Sequence, residues 1–223
     1  REILIYKMKT RGKTAEEKFW NSPMVVKEFE SALPSPYWKY FFQQIKNHPS
    51  KKVLDLGCGG GRNTQMLIEL NFDTYACDLY KEMVKETKKR IAKLTNQNID
   101  KKIIQASMLN LPYINNYFDF VIANGVFHNV ASKKEMEIAI KESSRILKPQ
   151  GQICVNLFSA GIIAPELRKI NTEKYTYITP QGLAMTLLPK EIFLEIMQNY
   201  NLIMESQLTE YEREVSTGKR WVI

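Results

Sequence analysis

The feature that most constrains the fold is a short apolar segment that runs directly into a glycine-rich turn. Residues 53–63 read Val-Leu-Asp-Leu-Gly-Cys-Gly-Gly-Gly-Arg-Asn. The apolar residues predict a buried strand, and the glycines predict a tight turn that a ligand can approach closely. A helix predicted from about residue 62 would present free amide N–H groups at its start. The segment therefore predicts a ligand site at the turn.

The spacing of the glycines distinguishes this turn from a dinucleotide-binding turn. The pattern Gly-x-Gly-x-x-Gly, begun at Gly57, would need a glycine at position 62, where the chain has Arg62. Asp55 lies instead at the predicted strand end, two residues before the first glycine. A carboxylate at this place suits a cationic ligand group, such as an α-amino group, better than a pyrophosphate.

Strands and helices alternate between residues 51 and 157. Apolar runs and helical periodicity predict strands at 53–56, 74–77, 102–106, 118–123 and 153–157, and helices at 62–70, 80–95 and 133–146. This alternation predicts a doubly wound parallel sheet with helices on both faces. Ligands of such sheets bind beyond the carboxyl ends of the strands, so we expect function in the strand-to-helix turns.

The flanking segments have a different character. Residues 1–50 are rich in aromatic residues, and their proline-punctuated pattern predicts two helices, near 24–31 and 36–47. Long connections within a compact domain are usually functional, which suggests a substrate-binding role for the segment after residue 157. We expect one domain, made of a helical cap (1–50), a ligand-binding core (51–157), a substrate loop (158–188) and a C-terminal helix with strands (189–199, 201–208, 211–222).

Residues 55–61 match Asp-x-Gly-x-Gly-x-Gly, the first motif of class I S-adenosylmethionine (SAM)-dependent methyltransferases. The chain resembles this superfamily over about residues 50–158. Some members, including the tellurite-resistance methyltransferases, follow the motif with Arg-Asn, as Arg62 and Asn63 do here. The resemblance implies a Rossmann-like α/β fold with a mostly parallel seven-stranded sheet, and SAM as the cofactor. Gly57, Cys58 and Gly59 would pack against the methionine moiety, whose amino group Asp55 would orient.

The resemblance continues through the later strand ends. Asp78 ends the second predicted strand, 21 residues after Gly57, where a carboxylate accepts the ribose hydroxyls. Met83 would contact the adenine face, or would pack in the core. Ser107 replaces an aspartate that commonly binds the adenine amino group, a bond that a hydroxyl can also accept. The complete set of predicted cofactor-binding residues is Trp20, Asp55, Gly57, Cys58, Gly59, Arg62, Asn63, Asp78, Leu79, Met83, Ser107, Met108, Leu109, Asn124 and Gly125.

The methyl acceptor must bind outside the cofactor motifs. His128, just beyond the fourth strand, is the candidate general base for a hydroxyl acceptor, or alternatively an orienting loop residue. Aromatic residues of the cap and of the 158–188 segment would shield the sulfonium, or would pack as an ordinary cover. The predicted substrate residues are Tyr37, Arg168, Tyr175 and Tyr177.

The predicted function is methyl transfer from SAM to an O or N atom of a small molecule. The net charge of +8 keeps a tRNA or rRNA methyltransferase open as an alternative, although the lysines are scattered and those at 81–93 follow a helical face. A non-catalytic SAM-binding protein is the third possibility. We also expect a cytoplasmic protein without a metal site or membrane partner, because the sequence has no Cys-x-x-Cys pair, only two histidines, no 18-residue apolar run and no signal-peptide pattern at its start.

Overall fold

The computed structural model describes residues 14–94, 101–215 and 218–223. At its centre lies a five-stranded parallel sheet formed by β1 (Lys52–Leu56), β2 (Asp73–Asp78), β3 (Ile103–Gln105), β4 (Phe118–Asn124) and β5 (Leu147–Asn156). The strand order is β3-β2-β1-β4-β5. From β1 the chain adds strands toward one edge of the sheet, and from β4 it adds them toward the other edge. This order gives the doubly wound topology that the sequence predicts.

Helices cover both faces of the sheet. On one face lie α3 (Pro36–Gln44), α4 (Arg62–Glu69) and α5 (Lys81–Ala92), and on the other lie α6 (Lys133–Ile146) and α7 (Lys190–Asn199). Trp38 and Phe42 of α3 are buried against Val53 and Phe120, which explains much of the aromatic content of the cap. Among the described residues no helix combines the length and apolar character needed to cross a bilayer.

The prediction of a seven-stranded sheet is wrong in its strand number. The last two strands, β10 (Tyr211–Val215) and β11 (Gly218–Val222), form a hairpin that pairs with β6 (Phe158–Ser159) in a separate antiparallel sheet. The single strand predicted at 211–222 therefore turns back on itself, with Gly218 at a φ of +98° and residues 216–217 outside the described part. Residues 202–210 contain no strand; Glu205 contacts β5 by accepting a hydrogen bond from Gln152.

The predicted loop at 158–188 contains a second small antiparallel sheet. Its strands are β7 (Arg168–Lys169), β8 (Thr176–Ile178) and β9 (Ala184–Thr186). The N–H of Thr186 donates to the carbonyl of His128 at 2.9 Å, and its hydroxyl donates to the carbonyl of Val130 at 2.8 Å. This sheet is thereby fastened to the loop that follows β4.

Two helices precede α3. They are α1 (Ala15–Trp20) and α2 (Pro23–Ser31), and each begins at a side-chain cap. Thr14 and Glu17 form a reciprocal capping box at α1, with N–O distances of 2.9 and 3.1 Å. The spacing Thr-x-x-Glu is the sequence signal for this helix start, which the predicted elements omit. The expectation about a signal peptide rests on residues 1–13, which lie outside the described residues.

Candidate active site

An open cavity of about 1220 Å³ lies beyond the carboxyl ends of β1 to β4. Small-molecule sites usually enclose about 300–1,000 Å³, so this cavity has room for a cofactor and a second reactant. Eleven of the fifteen predicted cofactor residues line it, and they lie at strand ends, in the helical cap or, for Met83, in the first turn of α5: Trp20, Gly57, Gly59, Asp78, Leu79, Met83, Ser107, Met108, Leu109, Asn124 and Gly125. The structure brings these residues together because parallel strands end at the same edge.

The glycine turn after β1 is folded onto the end of β2. The N–H groups of Gly57 and Cys58 both donate to the carbonyl of Cys77, at 2.8 and 3.0 Å. Gly57, Gly59 and Gly61 have φ values of +69°, +53° and +81°, a conformation that side chains disfavour. The backbone of Gly57 and Gly59 consequently forms part of the cavity wall without side chains between it and a ligand.

Asp78 joins the glycine turn to the start of α5. Its Oδ2 accepts from the N–H of Gly59 and its Oδ1 accepts from the N–H of Tyr80, both at 2.9 Å. Burial raises the pKa of this carboxyl, while the backbone hydrogen bonds act against that rise. A carboxylate has about four acceptor positions, so Asp78 retains acceptor capacity for donors from the cavity.

This wall suits SAM in several independent respects. Asp78 offers acceptors to two ribose hydroxyls, and the bare glycine backbone permits close approach of the methionine portion. Met83 is buried at 1% exposure and presents an apolar surface beside Leu79, as an adenine ring needs. The hydroxyl of Ser107 accepts from the N–H of Leu109 at 3.2 Å, which shapes the turn after β3.

The remaining four predicted cofactor residues do not line the cavity. Asp55 is buried beneath the turn, where its Oδ2 accepts from the hydroxyl of Thr64 at 2.6 Å, and burial raises its pKa to about 6. It therefore ties the end of β1 to α4 instead of presenting a carboxylate to the cavity. Cys58 faces Thr87 of α5, while Arg62 and Asn63 belong to the first turn of α4.

The α1 helix lies across the mouth of the cavity. At one end, Ala15 lies beside the β8–β9 turn, where an added Cβ on Gly182 would be 3.3 Å from its methyl group. At the other end, the Oδ1 of Asn21 accepts from the N–H of Glu82 at 3.2 Å, at the start of α5. The ring of Trp20 stacks on Tyr80 with centroids 6.0 Å apart. The α1 helix thus bridges the two sides of the site.

The α2 helix closes the cavity over the glycine turn. An added Cβ would stand 2.8 Å from the ring of Phe29 at Gly59, and 2.4 Å from the carbonyl oxygen of Phe29 at Gly60. Arg90 holds this arrangement by donating to the carbonyls of Glu30 at 3.0 Å and Ala32 at 3.1 Å. The basic helical face at 81–93 therefore includes cations that hold α2 above the glycine turn, since Lys89 also pairs with Glu30 at 3.1 Å.

The prediction that His128 is a general base does not agree with the structure, which supports the alternative of an orienting loop residue. The imidazole is 3% exposed, does not line the cavity, and stacks on Phe158 with centroids 4.4 Å apart. Its Nδ1 accepts from the N–H of Phe158 at 3.1 Å. Burial, with the nearby charge of Arg220, lowers its pKa to about 3. His128 thus orients the loop after β4 and stays neutral at physiological pH.

This environment makes His128 a source of acid sensitivity. Since the pKa falls from 6.5 to about 3 on folding, the unfolded chain binds a proton between these values and the folded chain does not. Acidification from pH 7 to 5 therefore favours unfolding by about 2 kcal/mol through this residue. In His128→Asn, urea titrations should show a loss of unfolding free energy between pH 7 and pH 5 that is smaller than the wild-type loss by this amount. Asp55 has a raised pKa in the folded chain, so acidification stabilises the fold through this residue. This contribution is the same in wild type and His128→Asn, so it cancels in the comparison. Equal pH slopes for the two proteins would contradict the assignment.

None of the four predicted substrate residues lines the cavity. Tyr37 is 59% exposed on α3, which turns away from the strand ends to pack on the sheet. Arg168, Tyr175 and Tyr177 lie in or beside the β7–β9 sheet, from which only Ala184 reaches the cavity. The part of the wall that follows β4 instead contains residues that the sequence predictions omit, namely Asn129, Val130, Ala131 and Glu135.

The described part of the chain contains no group of three or more His, Cys, Asp or Glu side chains that could hold a metal ion. The three cysteines are buried and unpaired with one another, and burial raises the pKa of each thiol.

Comparison with known proteins finds methyltransferases by family model, by sequence and by structure. Residues 54–155 match a family model described as a methyltransferase domain. The probable tRNA methyltransferase 9B of Bos taurus is 28% identical over 158 residues, which cover 70% of this chain and 31% of that protein. The ubiquinone/menaquinone biosynthesis C-methyltransferase of Paraburkholderia phytofirmans is 29% identical over 130 residues, 55% of this chain and 49% of that protein. The matched part thus spans a third to a half of these relatives.

Among solved structures, a SAM-dependent methyltransferase from Methanosarcina mazei has the same fold, with a TM-score of 0.64 and 17% identity. The alignment covers 86% of this chain and 96% of that one. The likeness therefore includes the regions that flank the central sheet.

Proposed function

We propose that the chain is a class I SAM-dependent methyltransferase that transfers the methyl group of SAM to an O or N atom of a small molecule, because residues 54–155 match a methyltransferase-domain model and the fold is that of a SAM-dependent methyltransferase. The observation that carries this proposal is the roofed cavity. It gathers the cofactor residues from four strand ends and leaves further volume beside Asn129 and Glu135. Helices α1 and α2 cover this volume, so a compact acceptor can be enclosed there with the cofactor.

The chain contributes mainly orientation and exclusion of water. SAM, when bound, supplies a methyl group that its sulfonium has already activated. Asp78 and the glycine turn would fix the position of the donor, and the rings of Trp20 and Phe29 reduce the access of solvent to it. Holding two reactants in line in a dry site can supply a large part of a rate enhancement. With His128 buried away from the cavity, no histidine of the described chain is available there as a base.

A tRNA acceptor is the second candidate, favoured by the relationship to the probable tRNA methyltransferase 9B and by the net charge of +8. The cavity itself has the opposite charge, with six carboxylate side chains and two lysines in its wall. A phosphate backbone would meet repulsion there. Turnover on tRNA should fall steeply with salt, whereas turnover on a neutral small molecule should change little.

The proposed function can be tested first by ligand binding. SAM at a hundredfold excess over its Kd should raise the free energy of unfolding by about 2.7 kcal/mol, because it binds only the folded chain. The product S-adenosylhomocysteine should also stabilise the chain, and NAD should not, since the glycine turn lacks the dinucleotide spacing. Mass spectrometry of candidate acceptors incubated with SAM then identifies the product. A folded chain that neither SAM nor its product stabilises would refute the proposal.

A further inference from the structure

The part of the cavity wall that follows β4 offers hydrogen-bond acceptors to a second reactant. The Nδ2 of Asn129 donates to the carbonyl of Gly125 at 3.0 Å, which fixes the amide plane. No described residue donates to its Oδ1, and Asn129 lines the cavity. A fixed amide oxygen in this position selects a ligand that carries an N–H or O–H donor.

Glu135 adds a negative charge on the same side. One of its carboxylate oxygens, Oε2, accepts from the N–H of Ala131 at 2.8 Å, and no described cation forms an ion pair with it. Glu16 of α1 also lines the cavity without an ion-pair partner in the described chain. Burial and the charges of Glu16, Asp78 and Glu17 together raise the pKa of Tyr80, so these three carboxylates lie near the Tyr80 side of the cavity, whereas Glu135 belongs to the wall after β4.

Aromatic rings complete the environment. Trp20, Phe29 and Tyr80 line the cavity, and Trp20 stacks on Tyr80 and meets Phe29 edge-on, with centroids 5.7 Å apart. Aromatic faces attract cations, most strongly where water is excluded. The negative wall has the opposite sign to the net charge of the whole chain, so it is a local property of the cavity.

We propose that the methyl acceptor is a small amine, drawn into the cavity as its ammonium ion by Glu16 and Glu135 and oriented by the Oδ1 of Asn129. This inference rests on the proposed methyltransferase function and narrows it to the acceptor class. An alcohol would lose the charge attraction. A carboxylate acceptor would be repelled by the wall and would leave Asn129 without a donor.

The methylation of an amine balances in atoms and charge with the groups that the cavity wall supplies. The ammonium first gives one proton to a carboxylate, a role that we assign to Glu135, and this exposes the nitrogen lone pair. The lone pair then forms the N–C bond while the C–S bond breaks and its electron pair goes to sulfur. The products are the methylated ammonium ion, S-adenosylhomocysteine and the released proton. No histidine base is needed.

The test compares matched acceptors that differ in one group. Phenethylamine, 2-phenylethanol and phenylacetate form one series, and hexylamine, hexanol and hexanoate form a second. We expect the amine of each series to have a kcat/KM at least tenfold above its alcohol and acid counterparts. Methylation of an alcohol or acid in preference to its amine would overturn the inference while supporting the proposed function. Absence of both SAM binding and product with every acceptor would refute the proposed function itself.

Charge variants then test whether the carboxylates of the cavity wall cause the preference for an amine. Glu16→Gln/Glu135→Gln should raise the KM for the amine about tenfold, lower kcat because the proton acceptor is lost, and leave the Kd for SAM nearly unchanged. Glu195→Gln, on the exposed side of α7, removes the same charge outside the cavity and should leave both values unchanged. Asn129→Leu should lower kcat/KM for the amine, and Asn129→Asp, which keeps an acceptor oxygen, should retain more of it. A double variant that weakens SAM binding and leaves the amine KM intact would assign these carboxylates to the cofactor and overturn the inference.

Discussion

Replacing Asp78 with alanine is expected to weaken SAM binding by roughly 10- to 150-fold. This range corresponds to about 1.5–3 kcal/mol for the loss of hydrogen bonds to a charged group. The structure adds a second reason, because the same carboxylate accepts from the N–H groups of Gly59 and Tyr80. Without it, the glycine turn and the start of α5 lose their common anchor. Isothermal titration calorimetry with SAM gives the change directly.

The control for this variant lies at the other end of the same strand. Asp73 begins β2 and pairs with Lys52 and Lys102, each at 2.7 Å, away from the cavity. Asp73→Ala removes a carboxylate from the same strand and should leave SAM affinity unchanged. Equal affinities for wild type and Asp78→Ala would show that Asp78 makes no productive contact with the cofactor.

The second large effect is expected at Gly60, where α2 lies closest to the glycine turn. A methyl group in Gly60→Ala would stand 2.4 Å from the carbonyl oxygen of Phe29, so the backbone of α2 must move. Forced overpacking of this kind costs about 1–3 kcal/mol of folding free energy. Because the displaced segment carries Phe29 and Glu30 of the cavity wall, SAM affinity should also fall by about tenfold or more.

Gly151→Ala provides the matched comparison. An added Cβ there would be 2.9 Å from the carbonyl oxygen of Lys148, a similar clash with backbone, but in β5 and outside the cavity wall. This variant should lose stability in urea titrations and keep its SAM affinity once folded. If Gly60→Ala binds SAM as tightly as wild type, α2 does not form the roof over the turn.

That the predicted cofactor residues would line one cavity was predictable from the sequence, because most of them follow strands. Once β1, β2, β3 and β4 are recognised as parallel, the residues after each of them must meet at one edge. Asp78, Ser107 and Asn124 come together for this reason, although they are far apart in the chain. Asp55 shows the limit of the argument, since its position in the motif did not reveal that its side chain is buried beneath the turn.

The roof and the acceptor side depend on tertiary contacts that periodicity does not encode. A basic residue on a helix face predicts an exposed side chain, yet Arg90 donates hydrogen bonds to the carbonyls at the end of α2. Likewise, the position of His128 after a strand suggests a candidate base, and only the structure shows that its ring is buried against Phe158. The hairpin of β10 and β11 went unrecognised because alternation alone does not show where a strand turns back.

The bridging helix α1 has a consequence for the rate at which the site can exchange its contents. It has six residues, none of them buried, and helices of this length do not persist in water without outside support. Its support comes from Trp20, Asn21 and the capping box at Thr14. Local unfolding of such an element costs far less than disrupting the central sheet. Entry of reactants and departure of products can therefore proceed through the fraying of a single helical segment. We therefore expect contacts remote from the strand ends, such as the stacking of Trp20 on Tyr80, to affect the rate at which ligands enter and leave the cavity.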